Sequence, residues 1–338
     1  MSPQDALRRI GFLLERARES PYRVAAFRRA AEAIRLISEE ELEERVREGT
    51  LKQIKGIGDS TAAIIVQAVR GVMPAYLATL EEQHGAPLSW DGAELYTALT
   101  GDLHVHSDWS DGGSPIEEMV LTAVELGQEW MALTDHSPRL TIANGLSRER
   151  LALQLQRVDA INASLGDTFR LLKGIEVDIN LDGTLDQDPD MLEQLDVVTA
   201  SVHSKLRQPT FEMTPRMLAA VRNPRTNVLG HCTGRLVTGG RGKRPESQFD
   251  AEKVFRACAQ NDVAVEINSR PERQDPPDAL IELARDLGCL FAIDSDAHAP
   301  GQLDMKLLGC ERAERLRIPA ERIVTTWPVE DLLAWAKG

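Results

Sequence analysis

Residues 102–113 read DLHVHSDWSDGG, and the reading of the whole chain turns on them. Val105 separates His104 from His106; on an extended segment residues two apart share a face, so both imidazoles converge on one spot. Asp111 follows on a glycine-bounded turn. Two nitrogen donors and one hard oxygen donor at the exit of a strand suit a divalent metal. An HxH pair alone is as readily a chance pairing, so the rest of the chain has to decide.

From Gly101 onward short apolar runs alternate with longer helical patterns, the signature of a βα-repeating fold around a parallel sheet. The expected strands are 102–105, 130–134, 172–177, 197–201, 228–230, 263–267 and 290–293. Each is followed by a polar group: His106 after the first, Asp135 and His136 after the second, Glu176 and Asp178 closing the third. His203, His231 and Asn268 follow the next three, and Asp296 and His298 the last. In a barrel the strand C-termini share one face, where active sites assemble. The chain has seven histidines, and six of them occupy these strand ends; His84 is the exception. One histidine after a strand is ordinarily a satisfied polar residue, whereas six at the same topological position point to a common metal site. Asp135, beside His136, and Asp102, two before His104, are expected as outer acceptors that fix imidazole tautomers. Mixed nitrogen and oxygen donors favour Zn, Mn or Fe over Mg or Ca.

The first 85 residues read as helices joined by short turns. Ala6, Ile10, Leu13, Leu14 and Ala17 recur at helical spacing. Ser20 followed by Pro21 is a strong helix start, with Val24, Phe27, Ala31 and Ile34 as the apolar stripe. Gly56-Ile57-Gly58 then lies between two apolar helices, as in a helix-hairpin-helix. There, glycines let amides at a helix N-terminus approach a phosphate, so Gly56 and Gly58 are the candidate DNA contacts. Residues 86–100, with Gly85, Pro87, Trp90 and Gly92 in and beside them, read as a linker.

The formal charge of −14 argues against a protein that coats nucleic acid with a basic face, but not against a nuclease, since bound cations reverse the local sign. Four scattered cysteines without a CxxC pair read as core thiols. With no spanning apolar run and no leader pattern, a cytoplasmic protein is expected, with no membrane and no evident protein partner. Cations for a substrate phosphate are expected from Arg235, from the loop GGRGKR at 239–244 with Arg241 and Lys243, and from Arg270 and Arg273.

Two resemblances sharpen this. The segments PYRVAAFRRAA and GIG make the N-terminal region similar to the small DNA-binding domain of DNA polymerase beta and of the bacterial family X polymerases. Ile64 stands where lyase versions of that domain carry a Schiff-base lysine, which implies no deoxyribose-phosphate lyase activity. There is no room for a polymerase palm. From Gly101 onward, DLHVHSDWSDG, LTDHS, GIEVDI, SVHS, GHCTGR, EINS and DSDAH resemble the polymerase and histidinol phosphatase (PHP) superfamily. Within it the chain is nearest to the PHP domain of bacterial family X polymerases.

This resemblance implies a distorted (β/α)7 barrel over residues 101–338, holding two to three divalent ions. Carried over by motif, His104, His106, Glu176 and Asp296 hold one ion. Asp111 and His136 hold a second, with Glu176 bridging. His203, His231 and His298 complete the set, His298 returning to the first pair. The reaction expected is phosphoester hydrolysis by metal-activated water, on DNA ends as a 3′–5′ exonuclease or 3′-phosphatase. The alternatives are a small-molecule phosphatase of the histidinol-phosphatase type and a non-catalytic DNA-binding scaffold.

Overall fold

The computed structural model describes residues 1–239 and 242–337. They fall into two compact units: residues 1–87 with 300–302, and residues 88–299 with 303 onward.

The first unit is all helical: α1 (Pro3–Arg16), α2 (Pro21–Ile34), α3 (Glu39–Glu48), α4 (Asp59–Val69) and α5 (Ala75–His84). Ser2 caps α1 by accepting the Asp5 amide, and Pro21 opens α2 as its fixed φ allows, although the Ser20 hydroxyl makes no capping bond. Val24, Phe27, Ala31 and Ile34 are buried against Leu7, Ile10, Leu13 and Leu14 of α1. Ile57 and Ile64 close the same core.

The turn before α4 departs from expectation. Gly56 has φ +100°, but the Gly58 amide donates to Thr61 Oγ1 at 3.0 Å, so it caps its own helix instead of facing a phosphate. Asp59, paired with Lys52 at 2.7 Å, already brings a carboxylate to this helix N-terminus, where the dipole favours an anion.

The second unit is built on a six-stranded parallel sheet in sequential order: β1 (Trp130–Leu133), β2 (Arg170–Asp178), β3 (Val197–Ser201), β4 (Val228–Leu229), β5 (Ala264–Asn268) and β6 (Phe291–Asp294). Helices α6 (Ala93–Ala98) and α7 (Ile116–Glu125) precede β1, and α8 (Arg148–Leu165) leads into β2. The later helices are α9 (Pro189–Leu192), α10 (Thr210–Val221), α11 (Ala251–Gln260), α12 (Asp278–Asp286), α13 (Lys306–Arg315) and α14 (Val329–Lys337).

Alternate strand residues define the interior. Trp130, Ala132, Leu172, Val197, Val228, Ala264 and Ala292 form one apolar cluster that draws on all six strands, while Leu133, Ile175, Val198, Leu229, Val265 and Ile293 pack outward. Continuing the inward set toward the strand C-termini replaces the apolar floor by Glu176, Thr199, Glu266 and Asp294, all 0% exposed. The polar layer is therefore raised on one face of an apolar plug.

Two expectations are corrected. The first expected strand, 102–105, is not a regular strand; Val105 makes single parallel bridges to Leu133 on one side and to Ala297 on the other. The segment spans the gap between β1 and β6, with Ala132 and Thr134 amides donating to the Asp102 and Val105 carbonyls and the His106 amide to the Ala297 carbonyl. Its own amides turn to side chains: Leu103 to Asp294 Oδ1 and Val105 to Thr134 Oγ1, both at 2.8 Å. Side-chain acceptors thus replace a strand ladder.

The expected linker is also largely ordered. α6 belongs to the second unit, its N-terminal amides at Gly92 and Leu95 donating to the Glu314 carboxylate at 3.0 and 3.1 Å. Gly92, at φ +80°, is required there because a Cβ would stand 2.3 Å from the Glu311 amide nitrogen. Among the described residues no helix is long and apolar enough to cross a membrane.

Candidate metal centre

Seven chain segments deliver the candidate ligands to one face. His104 and His106 come from the closing segment, Asp111 from the turn beyond it and His136 from the loop after β1, where it bridges backbone to backbone with Glu176. Glu176 points inward from β2, and His203 and His231 follow β3 and β4. Asp296 and His298 follow β6. Asp296 holds a left-handed φ of +51°, a conformation that costs a non-glycine residue about 1–3 kcal/mol and persists only when its surroundings fix it.

Glu176 is the hub. Its Oε1 lies 2.9 Å from His231 Nε2, 3.1 Å from His203 Nε2 and 3.4 Å from His104 Nε2, and its Oε2 lies 2.8 Å from His136 Nδ1 and 3.7 Å from His106 Nε2. Asp111 Oδ1 stands 3.3 Å from both His136 Nε2 and His298 Nε2. Asp296 Oδ1 is 3.6 Å from His106 Nε2. Metal–ligand bonds near 2.1 Å in a tetrahedron place ligand atoms about 3.4 Å apart, which most of these separations match.

Four overlapping groups have ligand atoms within 4.8 Å of one another: His106, Asp111, His136, His298; His104, Glu176, His231; His104, His106, Asp296; and His136, Glu176, His203. His298 stands beside His106 of the first pair, as expected, in the group that also holds Asp111 and His136, and His231 stands with His104 at Glu176.

The donor set fits metal ions on a second ground. Both Glu176 oxygens, both ring nitrogens of His106 and of His203, and one ring nitrogen each of His104, His136 and His231 are buried without a hydrogen-bond partner. Buried polar groups are otherwise nearly always paired. The contact between His136 Nδ1 and Glu176 Oε2 is short but not aligned as a hydrogen bond, as expected of donors aimed at a common point. Burial opposes ionisation of Glu176, yet the imidazoles of His203, His104 and His136 hold its carboxyl well below the usual carboxylate range. Burial likewise opposes ionisation of Asp296, and Arg273, His104 and Arg270 hold its carboxyl well below that range. For His106, burial and then His298 and His136 push the imidazole well below its ordinary value, so it stays neutral with one ring nitrogen's lone pair available.

The outer residues differ from expectation. Asp135 touches no imidazole; it accepts from the Ser107 amide and hydroxyl at 2.8 and 2.6 Å, from Gln154 Nε2 at 2.6 Å and from the Ser110 hydroxyl. It ties down the loop leading to Asp111. Asp102 accepts the His104 backbone amide at 3.2 Å and reaches no ring.

The group that orients a ring is Glu266, which the sequence reading passed over: its Oε1 is 2.6 Å from His104 Nδ1, and its Oε2 accepts the His231 amide. A signal was present, since Glu266 lies two before Asn268 on the same inward face of β5. His298 Nδ1 is 2.9 Å from the Asp296 carbonyl, which leaves Nε2 toward Asp111.

The expected phosphate cations are largely committed elsewhere. Arg235 spends its guanidinium on the Arg273 and Gln274 carbonyls and on Glu246, so it fixes a loop instead of presenting a free fork. Arg273 Nε bonds Asp296 Oδ2 at 2.9 Å, and Arg270 bonds Glu272 at 2.8 Å and the Asp296 carbonyl at 3.2 Å; both brace Asp296. Lys243 is exposed, and Arg241 lies outside the described residues.

An inward polar layer of imidazoles and carboxylates at the C-terminal ends of parallel strands defines an α/β protein with a cluster of candidate metal ligands. The PHP domain model matches residues 102–270, and the chain belongs to the PHP family. A helix-hairpin-helix domain model matches residues 3–71. DNA polymerase/3′-5′ exonuclease PolX of Bacillus subtilis is 36% identical over 239 residues, 71% of this chain and 41% of that protein; the chain thus spans less than half of that relative's length. Probable phosphatase YcdX of Escherichia coli is 27% identical over 243 residues, 67% of this chain and 90% of that protein. The histidinol phosphate phosphatase of Lactococcus lactis, solved with zinc, L-histidinol and phosphate, superposes with a TM-score of 0.48 at 20% identity, covering 64% of this chain and 92% of that one.

Proposed function

We propose that this PHP-family phosphoesterase acts on DNA ends, as a 3′–5′ exonuclease or 3′-phosphatase. The observation that carries hydrolysis is the ring of unpartnered buried nitrogens and carboxylate oxygens around Glu176. Two to three divalent ions of Zn, Mn or Fe suit this donor set, and when bound they lower the pKa of water and neutralise charge on the phosphoester oxygens. His106, Asp111, His136 and His298 would hold one ion, with His104, His203, His231 and Asp296 sharing the rest around Glu176. Glu266 fixes the His104 tautomer, and Arg270 and Arg273 hold Asp296 in its strained conformation. Asp111, with its side chain 37% exposed, is the most open carboxylate of the set and faces incoming substrate.

No protein nucleophile is required. The Cys232 thiol, beside His231, is pushed well up by burial and remains protonated. The helix-hairpin-helix match and the similarity to PolX support DNA as substrate, with the turn at Gly56 as the strand contact and the cytoplasm as the place of action. The probable phosphatases, most of whose length this chain spans, favour a small phosphate ester as the second reading.

The test is to incubate the metal-loaded protein with end-labelled single-stranded DNA and, separately, with histidinol phosphate. Release of nucleotides or of 3′-phosphate supports the first reading; turnover of histidinol phosphate alone replaces it with the second; no turnover of either refutes both.

A further inference from the structure

Three large apolar side chains stand exposed in the segments that leave consecutive strands at the ligand face. Ile142 (94% exposed) lies in the loop after β1, Leu181 (49%) in the loop after β2, and Phe211 (77%) on the first turn of α10, beyond the loop after β3. His136 and His203 lie in the first and third of these segments, and Asp178 ends β2 just before the second.

They are also tied to one another. Arg139 Nη1 donates to Asn180 Oδ1 at 2.9 Å, and the Arg139 amide to Asp186 Oδ2 at 2.7 Å. Arg216 of α10, 1% exposed, donates Nε to the Ile179 and Asn180 carbonyls at 3.0 Å and Nη1 to the Ser204 carbonyl and Gln208 Oε1 at 2.9 Å. A buried cation thus joins the second and third loops, and Arg139 joins the first to the second. The apolar side chains gain nothing for the fold where they stand, yet the backbone beneath them is fixed.

Arg139, Lys205 and Arg207 are exposed on the same loops. Asp182, Glu212 and Asp186 lie on the same segments and keep their charge while accepting from Thr184 at 2.7 Å, Gln208 at 3.1 Å and the Arg139 amide, so recognition there falls chiefly on the apolar side chains. Exposed apolar side chains and cations on tethered loops that leave the strand ends of a phosphoester site are the chemistry that binds unpaired nucleotides: bases stack on aromatic faces while cations follow the phosphates.

We propose that this shelf receives the unpaired bases adjoining the scissile phosphate at a single-stranded DNA end, Phe211 stacking on a base and Ile142 and Leu181 supporting its neighbours. The proposal rests on the DNA-end reading above. Its test is equilibrium binding by the metal-loaded full chain of an oligothymidylate with nuclease-resistant linkages and of an abasic strand of equal length and charge. The wild type is expected to bind the oligothymidylate about fivefold or more tightly, since each stacked base contributes at least that much, and Ile142→Ser/Phe211→Ser to bind both strands alike.

Equal affinities in the wild type, or a base preference that survives the double substitution, would overturn the shelf. So would self-association of the wild type that the double substitution abolishes, which would mark a protein interface. DNA hydrolysis without base preference sinks the shelf and leaves the DNA reading intact; base preference without DNA hydrolysis does the reverse.

Discussion

Replacing Glu266 by Gln tests whether the site is built to hold metal. Glu266 is fully buried and accepts on both oxygens: Oε1 toward His104 Nδ1 at 2.6 Å, Oε2 from the His231 amide and from Asn268 Nδ2 at 3.3 Å. Glutamine keeps the shape but offers one acceptor. If its oxygen faces His104, its NH2 confronts the His231 amide, donor against donor. If its NH2 faces His104, the ring proton moves to Nε2 and the lone pair aimed at Glu176 is lost. Either arrangement forfeits a charge-assisted bond of about 1.5–3 kcal/mol, and outer-shell losses of this kind lower metal affinity about 10- to 100-fold. The assay is competition for Zn²⁺ against a chromophoric chelator, with far-UV circular dichroism confirming the fold. Wild-type affinity in E266Q would refute the assignment of Glu266 as the residue that orients His104.

Other consequences are more direct. His203→Ala removes a ring that meets Glu176 at 3.1 Å; bound metal by elemental analysis and hydrolysis should both fall, and full retention of either would remove His203 from the site. Gly101→Ala would place a Cβ 2.1 Å from the buried Trp130 ring, so urea unfolding should show a loss of about 1–3 kcal/mol or more from overpacking. In the helical unit, the bond from Arg9 holds the Glu81 carboxyl below its ordinary value of 4.5. A depressed folded pKa stabilises above 4.5 and the stabilisation fades as pH falls through the folded value. Arg9→Met should therefore lower the melting temperature at neutral pH and leave it unchanged in strong acid.

The strand ends were legible because period-two alternation and histidine placement are both local signals. SVHS and GHCTGR each put, just past an apolar run, a donor that meets Glu176, and DSDAH puts Asp296 beside His106 and His298 beside Asp111. What escaped was decided by partners remote in sequence. The segment 102–105 has a strand's composition, but its Leu103 and Val105 amides find Asp294 and Thr134 side chains. Arg235 sits in a motif that promises phosphate binding, yet carbonyls nearly 40 residues away claim its guanidinium. Asp135 stands beside His136 in sequence and turns instead to Ser107, Ser110 and Gln154. Residues 93–98 lack the length to announce a helix, and form one because Glu314 accepts their first amides.

The net charge of −14 bears on how DNA arrives. Formal charges at the site are −4 from Glu176, Asp111, Asp296 and Glu266 and +1 from Arg273, Arg270 being paired with Glu272; two bound divalent ions would turn that −3 into +1. A loaded site would then present a positive focus on an acidic body. The far field repels a phosphate backbone, and the attraction acts only within about a Debye length, roughly 10 Å at 0.1 M salt. On the shelf Arg139, Lys205 and Arg207 are the cations available to phosphates, so the slope of log affinity for a single strand against log salt should be shallow, about −2 (three contacts at about 0.7 each). Association should not slow with added salt as it does for a basic DNA-binding surface, because screening weakens the repulsion first. A slope several times steeper would mean that a larger basic surface than this mouth carries the strand.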